Sequence, residues 1–264
     1  MTPRLFAPVD LAVGAVVRID PASAHHAIRV LRLAAGAPVE LFDGRGHAAI
    51  AAIVSADPCT VVVERLLAAD GLAPLQLTLA QCISAADKMD WTIEKAVELG
   101  VSAIVPLQSQ KAIVKLTPER SAKRREHWQR LILAASAQSR QNRLPRLAEV
   151  MKLDEWLRQP ATPMGLRLVL DPRAQASLSG LLAAQQTKPP FVDEALAPGQ
   201  AVAARALENI HVLCGPESGF TDAEFSQACD AGWVAAGLGP RVLRTETAGL
   251  TALAIIQAHC GDLR

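Results

Sequence analysis

The residues best suited to chemistry lie in two glycine-bearing loops between residues 211 and 248. The first loop follows the apolar run His211–Cys214 and contains a single carboxylate, Glu217. The second loop follows the apolar run Trp233–Leu238 and carries a cluster of charged side chains, Arg241, Arg244 and Glu246. Glycines in both loops allow the backbone to approach a ligand closely. We therefore predict a small-molecule site built from these two loops.

Each loop leads into a helix, as expected for a parallel α/β sheet. Thr221 and Glu224 form a T-x-x-E capping box, which indicates a helix start after the first loop. In open α/β sheets, ligands bind at the carboxyl ends of the strands, where loop N–H groups and helix N-termini point outward. Neither G-x-G-x-x-G nor G-x-x-x-x-G-K-[ST] occurs in the chain, so a dinucleotide fingerprint or a P-loop is not supported.

Two motifs in this region resemble the bacterial 16S ribosomal RNA uracil-N3 methyltransferase family. They are Gly215-Pro216-Glu217-x-Gly219-Phe220 and Leu238-Gly239-x-Arg241-Val242-Leu243-Arg244-Thr245-Glu246-Thr247-Ala248. Their order and spacing match those of the family, which belongs to the SPOUT superfamily. The resemblance implies an α/β fold with a trefoil-knotted parallel sheet that binds S-adenosylmethionine. A strand–turn–helix with ordinary turn glycines is the alternative interpretation of the same residues.

The resemblance also implies roles for individual residues. Arg244 and Glu246 are the candidates for catalysis and base recognition, and an Arg–Glu pair that only braces the loop is the alternative. We expect Arg241 to bind either the substrate phosphates or the cofactor carboxylate. The predicted cofactor contacts are Leu213, Gly215, Pro216, Glu217, Gly219, Leu238, Gly239, Arg241, Val242, Leu243, Thr247 and Ala248.

Two residues depart from the family pattern. Ser218 replaces a residue that is usually glycine, and Ala137 replaces an expected glutamate. Serine does not tolerate every backbone conformation with positive φ, so we expect the ligand loop to be slightly reshaped. Any role that depends on the missing carboxylate is lost here or is met elsewhere.

The chain divides into a small β-rich module at residues 1–71 and an α/β domain at residues 72–264. Short β-favouring runs fill the first module, and the turn at residues 43–46 predicts a hairpin. This pattern suits a compact β-barrel with one helix, and the resemblance implies a PUA-like RNA-binding domain. From Leu75 onward, strand-like runs alternate with longer helical stretches. Residues from about 185 to 205 hold three prolines and predict a mobile surface insertion.

Two sets of basic side chains are candidates for binding RNA. Residues 108–146 contain ten Lys or Arg and two Glu, a density that favours a phosphate-binding track over a merely solvated surface. Guanidinium groups also bind phosphate through two parallel hydrogen bonds. The predicted RNA contacts are Arg4, Arg18, Arg29 and Arg32 in the first module and Lys111, Arg140 and Arg143 in the basic segment.

Composition excludes several other classes of protein. The net charge of +1 gives no global attraction to nucleic acid, so an RNA-binding surface must be local. The five cysteines have neither disulfide nor metal spacing, and His25-His26 has no third ligand nearby, so no metal is expected. No apolar run approaches the length of a membrane helix. These features predict a cytoplasmic protein without a membrane partner.

The C-terminal helix is unusually apolar. The segment Thr247–His259 contains no Asp, Glu, Lys or Arg. A helix that is apolar all round is expected to be buried on all sides. In the superfamily that the chain resembles, this segment passes through the knot and packs at a homodimer interface.

The leading hypothesis is S-adenosylmethionine-dependent methylation of a uridine N3 in 16S rRNA of the small ribosomal subunit. Uridine N3 lies within Watson–Crick contacts, so the target base must be unpaired. The reaction removes a weakly acidic imide proton and depends largely on orientation. Two alternatives are a superfamily methyltransferase that acts on tRNA or 23S rRNA, and a non-catalytic RNA-binding ribosome-assembly factor.

Overall fold

The computed structural model describes residues 2–69, 75–112, 114–159, 165–186 and 208–263. The chain forms two compact units. Unit 1 consists of Met1–Leu72 with Ile132–Leu144, and unit 2 consists of Ala73–Leu131 with Pro145–Arg264. The predicted insertion lies outside the described residues from residue 187 onward, and so does the boundary predicted between residues 71 and 72. The domain limits 1–71 and 72–264 stay a prediction.

Unit 1 is built on a five-stranded sheet with the order β1-β3-β4-β5-β2. The strands are β1 (Arg4–Phe6), β2 (Val16–Arg18), β3 (Pro38–Phe42), β4 (Ala48–Ala56) and β5 (Cys59–Leu66). The hairpin predicted at residues 43–46 joins β3 to β4 and is confirmed. Apolar side chains from every strand, among them Leu5, Val17, Leu41, Ile53 and Val61, form one core. A short helix α1 (Pro21–His25) continues into a π-helical turn (His26–Val30).

Unit 2 is organised around a parallel sheet with the order β12-β10-β11-β6-β7-β8, and β9 also pairs with β7. The strands are β6 (Gln76–Cys82), β7 (Ala103–Gln108), β8 (Arg146–Leu147), β9 (Met151–Lys152), β10 (Leu166–Leu170), β11 (Asn209–Cys214) and β12 (Val234–Ala236). All paired strands run parallel, so β10, β11 and β12 end at one edge of the sheet. The α/β fold class is confirmed, whereas the trefoil knot stays a prediction.

Local sequence signals mark the start of one helix and the end of another. They are α2 (Ala86–Glu98), α3 (Pro118–Ser139), α4 (Leu153–Leu157), α5 (Leu178–Gln186), α6 (Asp222–Asp230) and α7 (Thr245–Cys260). The predicted capping box of Thr221 and Glu224 is present at the start of α6. Gly100 follows the last residues of α2 with a φ of 74°, a conformation in which glycine commonly ends a helix. None of the described helices has the length and apolarity needed to cross a bilayer.

The C-terminal helix α7 corrects one expectation. Leu250, Leu253 and Ile256 are buried against the sheet side of the unit. In the single chain, however, another face of α7 is partly accessible, and it consists mainly of small residues: Thr247, Thr251, Ala254, Ile255 and Ala258. The prediction of burial on all sides is therefore wrong for one chain alone, because apolar composition does not tell whether a helix is covered by its own chain or by another.

Candidate active site

A cavity of about 680 Å³ lies at the edge of the unit 2 sheet where β10, β11 and β12 end. Its walls come from the loops after these three strands and from the first turn of α7. The volume lies within the range of small-molecule and cofactor sites. Apolar walls and a charged rim are both present, because Leu238, Leu243 and Phe220 line the cavity together with several arginines and carboxylates.

The structure brings most of the predicted site residues together in this cavity. Those that line it are Gly215, Pro216, Glu217, Gly219, Leu238, Gly239, Arg241, Val242, Leu243, Arg244 and Ala248. Leu213 does not line it but is fully buried in the core behind the first loop. Thr247 is exposed on α7, and Glu246 lies beside the cavity-lining Lys88. Functional roles for all of these residues stay predictions.

The first loop makes a tight turn without strain at Ser218. The amide of Gly219 donates to the carbonyl of Pro216 at 2.9 Å, and Gly219 has a φ of 70°. The positive φ is taken by glycine, and the described non-glycine residues with positive φ are Arg32 and Arg140, not Ser218. The Ser218 hydroxyl donates to the carbonyl of Lys111 at 2.9 Å. Serine therefore fits this turn and fastens the loop to the segment after β7.

A buried hydrogen-bond network fixes the start of α7 against the sheet. Gln81 on β6 is fully buried, and its Nε2 donates to the Thr245 hydroxyl at 2.9 Å. The same hydroxyl donates to the carbonyl of Gly215. A methyl group at Gly249 would lie 3.0 Å from Oε1 of Gln81, so the network requires a glycine here, although glycine disfavours a helix interior. The network holds both motif loops in one arrangement.

The ion pairs of Glu217 and Glu246 are made by a lysine and not by an arginine of the second loop. The alternative in which an arginine of the same loop braces Glu246 is wrong, since the cation beside Glu246 is Lys88 of α2, at 3.5 Å. The ammonium of Lys88 also lies 3.9 Å from Glu217. Arg241 and Arg244 are exposed at the cavity, where they are available to a ligand. Lys88 lies more than a hundred residues before either motif, and the folded sheet brings it to them.

The loop after β10 also supplies charged groups to the site. Asp171 is buried, and it accepts hydrogen bonds from the backbone and the guanidinium of Arg173 at 2.8 and 3.1 Å. Burial raises the pKa of the Asp171 carboxyl, but the hydrogen bonds and charge of Arg173 outweigh this effect and lower the pKa overall. Asp171 is therefore an anion that shapes the loop, and the exposed Arg173 lines the cavity.

Cys214, at the end of β11, lines the cavity but is not a nucleophile. Its side chain is buried, with Sγ 3.4 Å from the carbonyl of Thr245. Burial raises the pKa of the Cys214 thiol to about 11. Since the thiolate is the reactive form, this thiol is inert near neutral pH.

One predicted RNA contact in unit 1 is corrected by the structure. The guanidinium of Arg4 is buried, with its side chain 4% exposed, and it pairs with Glu40 at 2.9 Å. It also donates to the carbonyls of Ser136 and Ala137 at 3.1 and 3.4 Å, which caps the end of α3. All three guanidinium nitrogens of Arg4 donate hydrogen bonds within the protein, so Arg4 does not contact phosphate. Ala137 takes part in this capping through its backbone carbonyl, so its side-chain type gives no sign of the contact.

The other predicted RNA contacts remain accessible. Arg18, Arg29, Arg32, Arg143 and Lys111 are exposed. The guanidinium of Arg143 packs over Gly46, where a methyl group would lie 2.8 Å from it. Arg140 has half of its side chain exposed and donates to Glu40 at 2.5 Å. Their binding to RNA stays a prediction. Among the described residues, no group of His, Cys, Asp and Glu has the geometry of a metal site.

Comparison with known proteins identifies the class. A family model described as an RNA methyltransferase domain matches residues 72–257, and one described as an RNA methyltransferase PUA domain matches residues 19–64. The chain belongs to this RNA methyltransferase family, which confirms the predicted family and the type of enzyme.

Individual relatives carry a more specific name. The crystal structure of a ribosomal RNA small subunit methyltransferase E from Neisseria gonorrhoeae, bound to S-adenosyl methionine, is similar over 100% of both chains, with 32% identity and a TM-score of 0.82. A ribosomal RNA small subunit methyltransferase E from Bacillus subtilis is 29% identical over 243 residues, covering 91% of this chain and 89% of its own. The protein of the same name from Synechocystis is 29% identical over 258 residues, covering 98% of this chain and 78% of its own.

Proposed function

We propose that this protein transfers a methyl group from S-adenosylmethionine to N3 of a uridine in the 16S rRNA of the small ribosomal subunit. The observation that carries the proposal is the cavity at the strand ends, in which both sequence motifs meet around the first turn of α7. Relatives named as small subunit rRNA methyltransferases, one of them with bound S-adenosyl methionine, support the same activity.

The cavity suits S-adenosylmethionine in size and in chemistry. Gly219 and Gly239 line the cavity with φ values of 70° and 100°. Because glycine has no side chain, a ligand can approach the backbone closely at both positions. Leu243 offers an apolar wall for the adenine, while Glu217 and Arg241 offer partners for the amino and carboxylate groups. The cofactor supplies an electrophilic methyl group on its sulfonium, and the residues around it supply orientation.

The RNA must reach the cavity with one base unstacked and unpaired, because N3 is otherwise engaged in pairing. Arg241 and Arg244 are exposed at the cavity and suit the phosphates or the carbonyls of that nucleotide. Phosphates further along the RNA suit the exposed arginines of unit 1, which are Arg18, Arg29, Arg32 and Arg143. A ribosomal substrate also implies a cytoplasmic location. The proposed binding and methyl transfer need no metal ion.

A homodimer is part of the proposal. The partly accessible face of α7 is made of small and apolar residues, including Thr251, Ala254 and Ile255. Such a face packs closely against a second helix, and a second copy of this chain is the partner that the family resemblance implies. Sedimentation at micromolar concentration should give the mass of two chains.

Two measurements test the proposal against its alternatives. Calorimetry with S-adenosylmethionine should show one site per chain, and the absence of binding would favour a non-catalytic assembly factor. Transfer of tritium from labelled cofactor should then be measured on small subunits, large subunits and tRNA from cells that lack the modification. We expect incorporation into small subunits alone. Incorporation into large subunits or tRNA would mean a different substrate for the same fold.

A further inference from the structure

A second recess adjoins the active-site cavity beside the loop after β10. Its volume is about 450 Å³, within the range of sites that bind small molecules. The cavity and the recess share four lining residues, which are Asp171, Arg173, Asp222 and Phe225. None of the described residues that line the recess is a predicted cofactor contact. The recess is therefore a candidate site for a group other than the cofactor.

The guanidinium of Arg173, which lines both the cavity and the recess, forms a flat and fixed surface. Its Nε and Nη2 atoms donate to the two carboxylate oxygens of Asp171, at 3.2 and 3.1 Å. One face of the guanidinium lies over the ring of Phe225, with its central carbon 5.9 Å from the ring centre. The side chain of Arg173 is 70% exposed, so the other face is open. Because this plane is already held in place, a second planar group can stack on it at a small cost in conformational entropy.

The charges around Arg173 favour an uncharged base over a phosphate. Among the described residues that line the recess, Arg173 is the one cation, and Asp171 and Asp222 are the anions. One positive and two negative charges leave the recess with a net negative charge, which repels a phosphate. The face of a nucleobase is uncharged, and unstacked bases of RNA pack on guanidinium planes as well as on aromatic rings.

The proposed reaction creates a need for such a surface. When the target base leaves its stack to enter the active-site cavity, a neighbouring base loses one of its stacking partners. Aromatic rings commonly replace that partner, but the chain has only five Phe, four Trp and no Tyr. The aromatic residues among the described ones that line the cavity are Phe220 and Phe225, and Phe225 lies beneath Arg173. The guanidinium is thus the flat surface that this rim offers to a base.

We propose that Arg173 is a stacking platform for a base of the substrate RNA that neighbours the target uridine. This inference rests on the proposed function for the identity of the target. The neighbouring base lies on the open face of the guanidinium, in the recess, while the target base and the cofactor share the cavity. Asp171 holds the guanidinium in position, and Phe225 supports its other face.

The test measures the affinity of the full-length labelled protein for small subunits that lack the modification, by fluorescence anisotropy at several salt concentrations. Arg173→Lys keeps a positive charge beside Asp171 but removes the planar surface. It should weaken binding about tenfold, in the range for the loss of one stacked base. Arg173→Gln, which removes the charge and most of the plane, should weaken binding to a similar extent. In both variants the slope of log K against log salt should stay at the wild-type value, because no phosphate contact is lost.

Arg158→Lys is the matched control. Arg158 has 65% of its side chain exposed, against 70% for Arg173, pairs with Asp154, and lines neither the cavity nor the recess. R158K should bind small subunits as the wild-type protein does. Urea denaturation of R173K should have the wild-type midpoint, because a lysine still neutralises Asp171. Calorimetry should give the wild-type Kd for S-adenosylmethionine in both Arg173 variants.

Two results would overturn the platform. If R173K binds small subunits like the wild-type protein, and the salt slope of R173Q falls by about 0.7–0.9, Arg173 binds a phosphate and not a base. If the Kd for S-adenosylmethionine rises as much as that for small subunits, Arg173 is a cofactor contact.

The binding assay does not depend on methyl transfer, so it separates this inference from the proposed function. If the wild-type protein makes no N3-methyluridine, the proposed function fails, whereas a loss of affinity in R173K at constant salt slope still supports the platform. If N3-methyluridine forms and R173K binds small subunits normally, the platform alone fails.

Discussion

The side chain of Gln81 reaches from the middle of the parallel sheet to the hydroxyl of Thr245, with Nε2 and Oγ1 2.9 Å apart. These residues are 164 positions apart in the sequence. Through Thr245, which also donates to the carbonyl of Gly215, the bond connects the two loops that line the cavity. The position of the C-terminal helix and the shape of the site are therefore set by the same buried contact.

Thr245→Val should weaken both cofactor binding and folding. Valine has the shape of threonine without the hydroxyl, so Gln81 and the Gly215 carbonyl both lose a partner. We expect the dissociation constant for S-adenosylmethionine to rise about tenfold, with a loss of about 1–3 kcal/mol in the free energy of unfolding. Thr245→Ser retains the hydroxyl and is the control. Equal cofactor binding by both variants in calorimetry would contradict a role for the network.

Gly249→Ala should destabilise the protein although alanine favours helices. The added methyl would lie 3.0 Å from Oε1 of Gln81 and 3.3 Å from Leu79, inside a packed core. Overpacking of this kind costs about 1–3 kcal/mol, which exceeds the gain in helix propensity of about 1 kcal/mol. Gly180→Ala, at an exposed position of α5 where the methyl would meet only the side-chain hydroxyl of Ser177, at 3.0 Å, should keep the stability or raise it by up to about 1 kcal/mol. Urea denaturation measures both, and a more stable G249A variant would show that the helix start can move.

Arg4→Met should lower the free energy of unfolding by about 3 kcal/mol, near the low end for a broken buried ion pair, because Arg140 still pairs with Glu40. Arg18→Met, at an exposed position of β2, should change it by less than about 0.5 kcal/mol. Chemical denaturation followed by circular dichroism compares them. Similar stability of the two variants would mean that Arg4 is not a structural residue.

Arg18 and Arg143 should contribute to RNA affinity through charge. Substitution of either by methionine should weaken binding to small subunits and reduce the salt dependence of log K, with a slope smaller by about 0.7–0.9 for each phosphate that the variant no longer binds. Filter binding between low and moderate salt measures the slope. An unchanged slope would exclude that arginine from the RNA interface.

Cys214 should resist alkylation at pH 8 while Cys229, which is exposed, reacts. Burial raises the pKa of Cys214 from 9.0 to about 11, so little thiolate is present in the folded protein. The unfolded chain loses this proton first as the pH rises above 9, so the contribution of Cys214 to stability falls between pH 9 and pH 11. Mass spectrometry after brief treatment with iodoacetamide identifies the modified cysteines. Rapid modification of Cys214 in the native protein would contradict its burial.

Local signals in the sequence predict much of the fold. The capping box at Thr221 and the hairpin after β3 each depend on neighbouring residues, and both are confirmed. The partners of Glu246 and Thr245 could not be predicted from neighbouring residues. They lie in α2 and β6, which are distant in the sequence and come near only in the folded sheet. The prediction for Arg4 is wrong for a similar reason, because a buried and an exposed arginine look alike in a sequence.

The most direct test of the proposed function maps the methylated atom. Small subunits from cells that lack uridine N3 methylation would be incubated with the protein and S-adenosylmethionine, and their 16S rRNA would be reverse-transcribed. A methyl group on N3 blocks base pairing, so we expect one new stop, absent without cofactor, together with N3-methyluridine in the nucleoside digest. Methyl incorporation without a stop would place the methyl on another atom and contradict the proposed function.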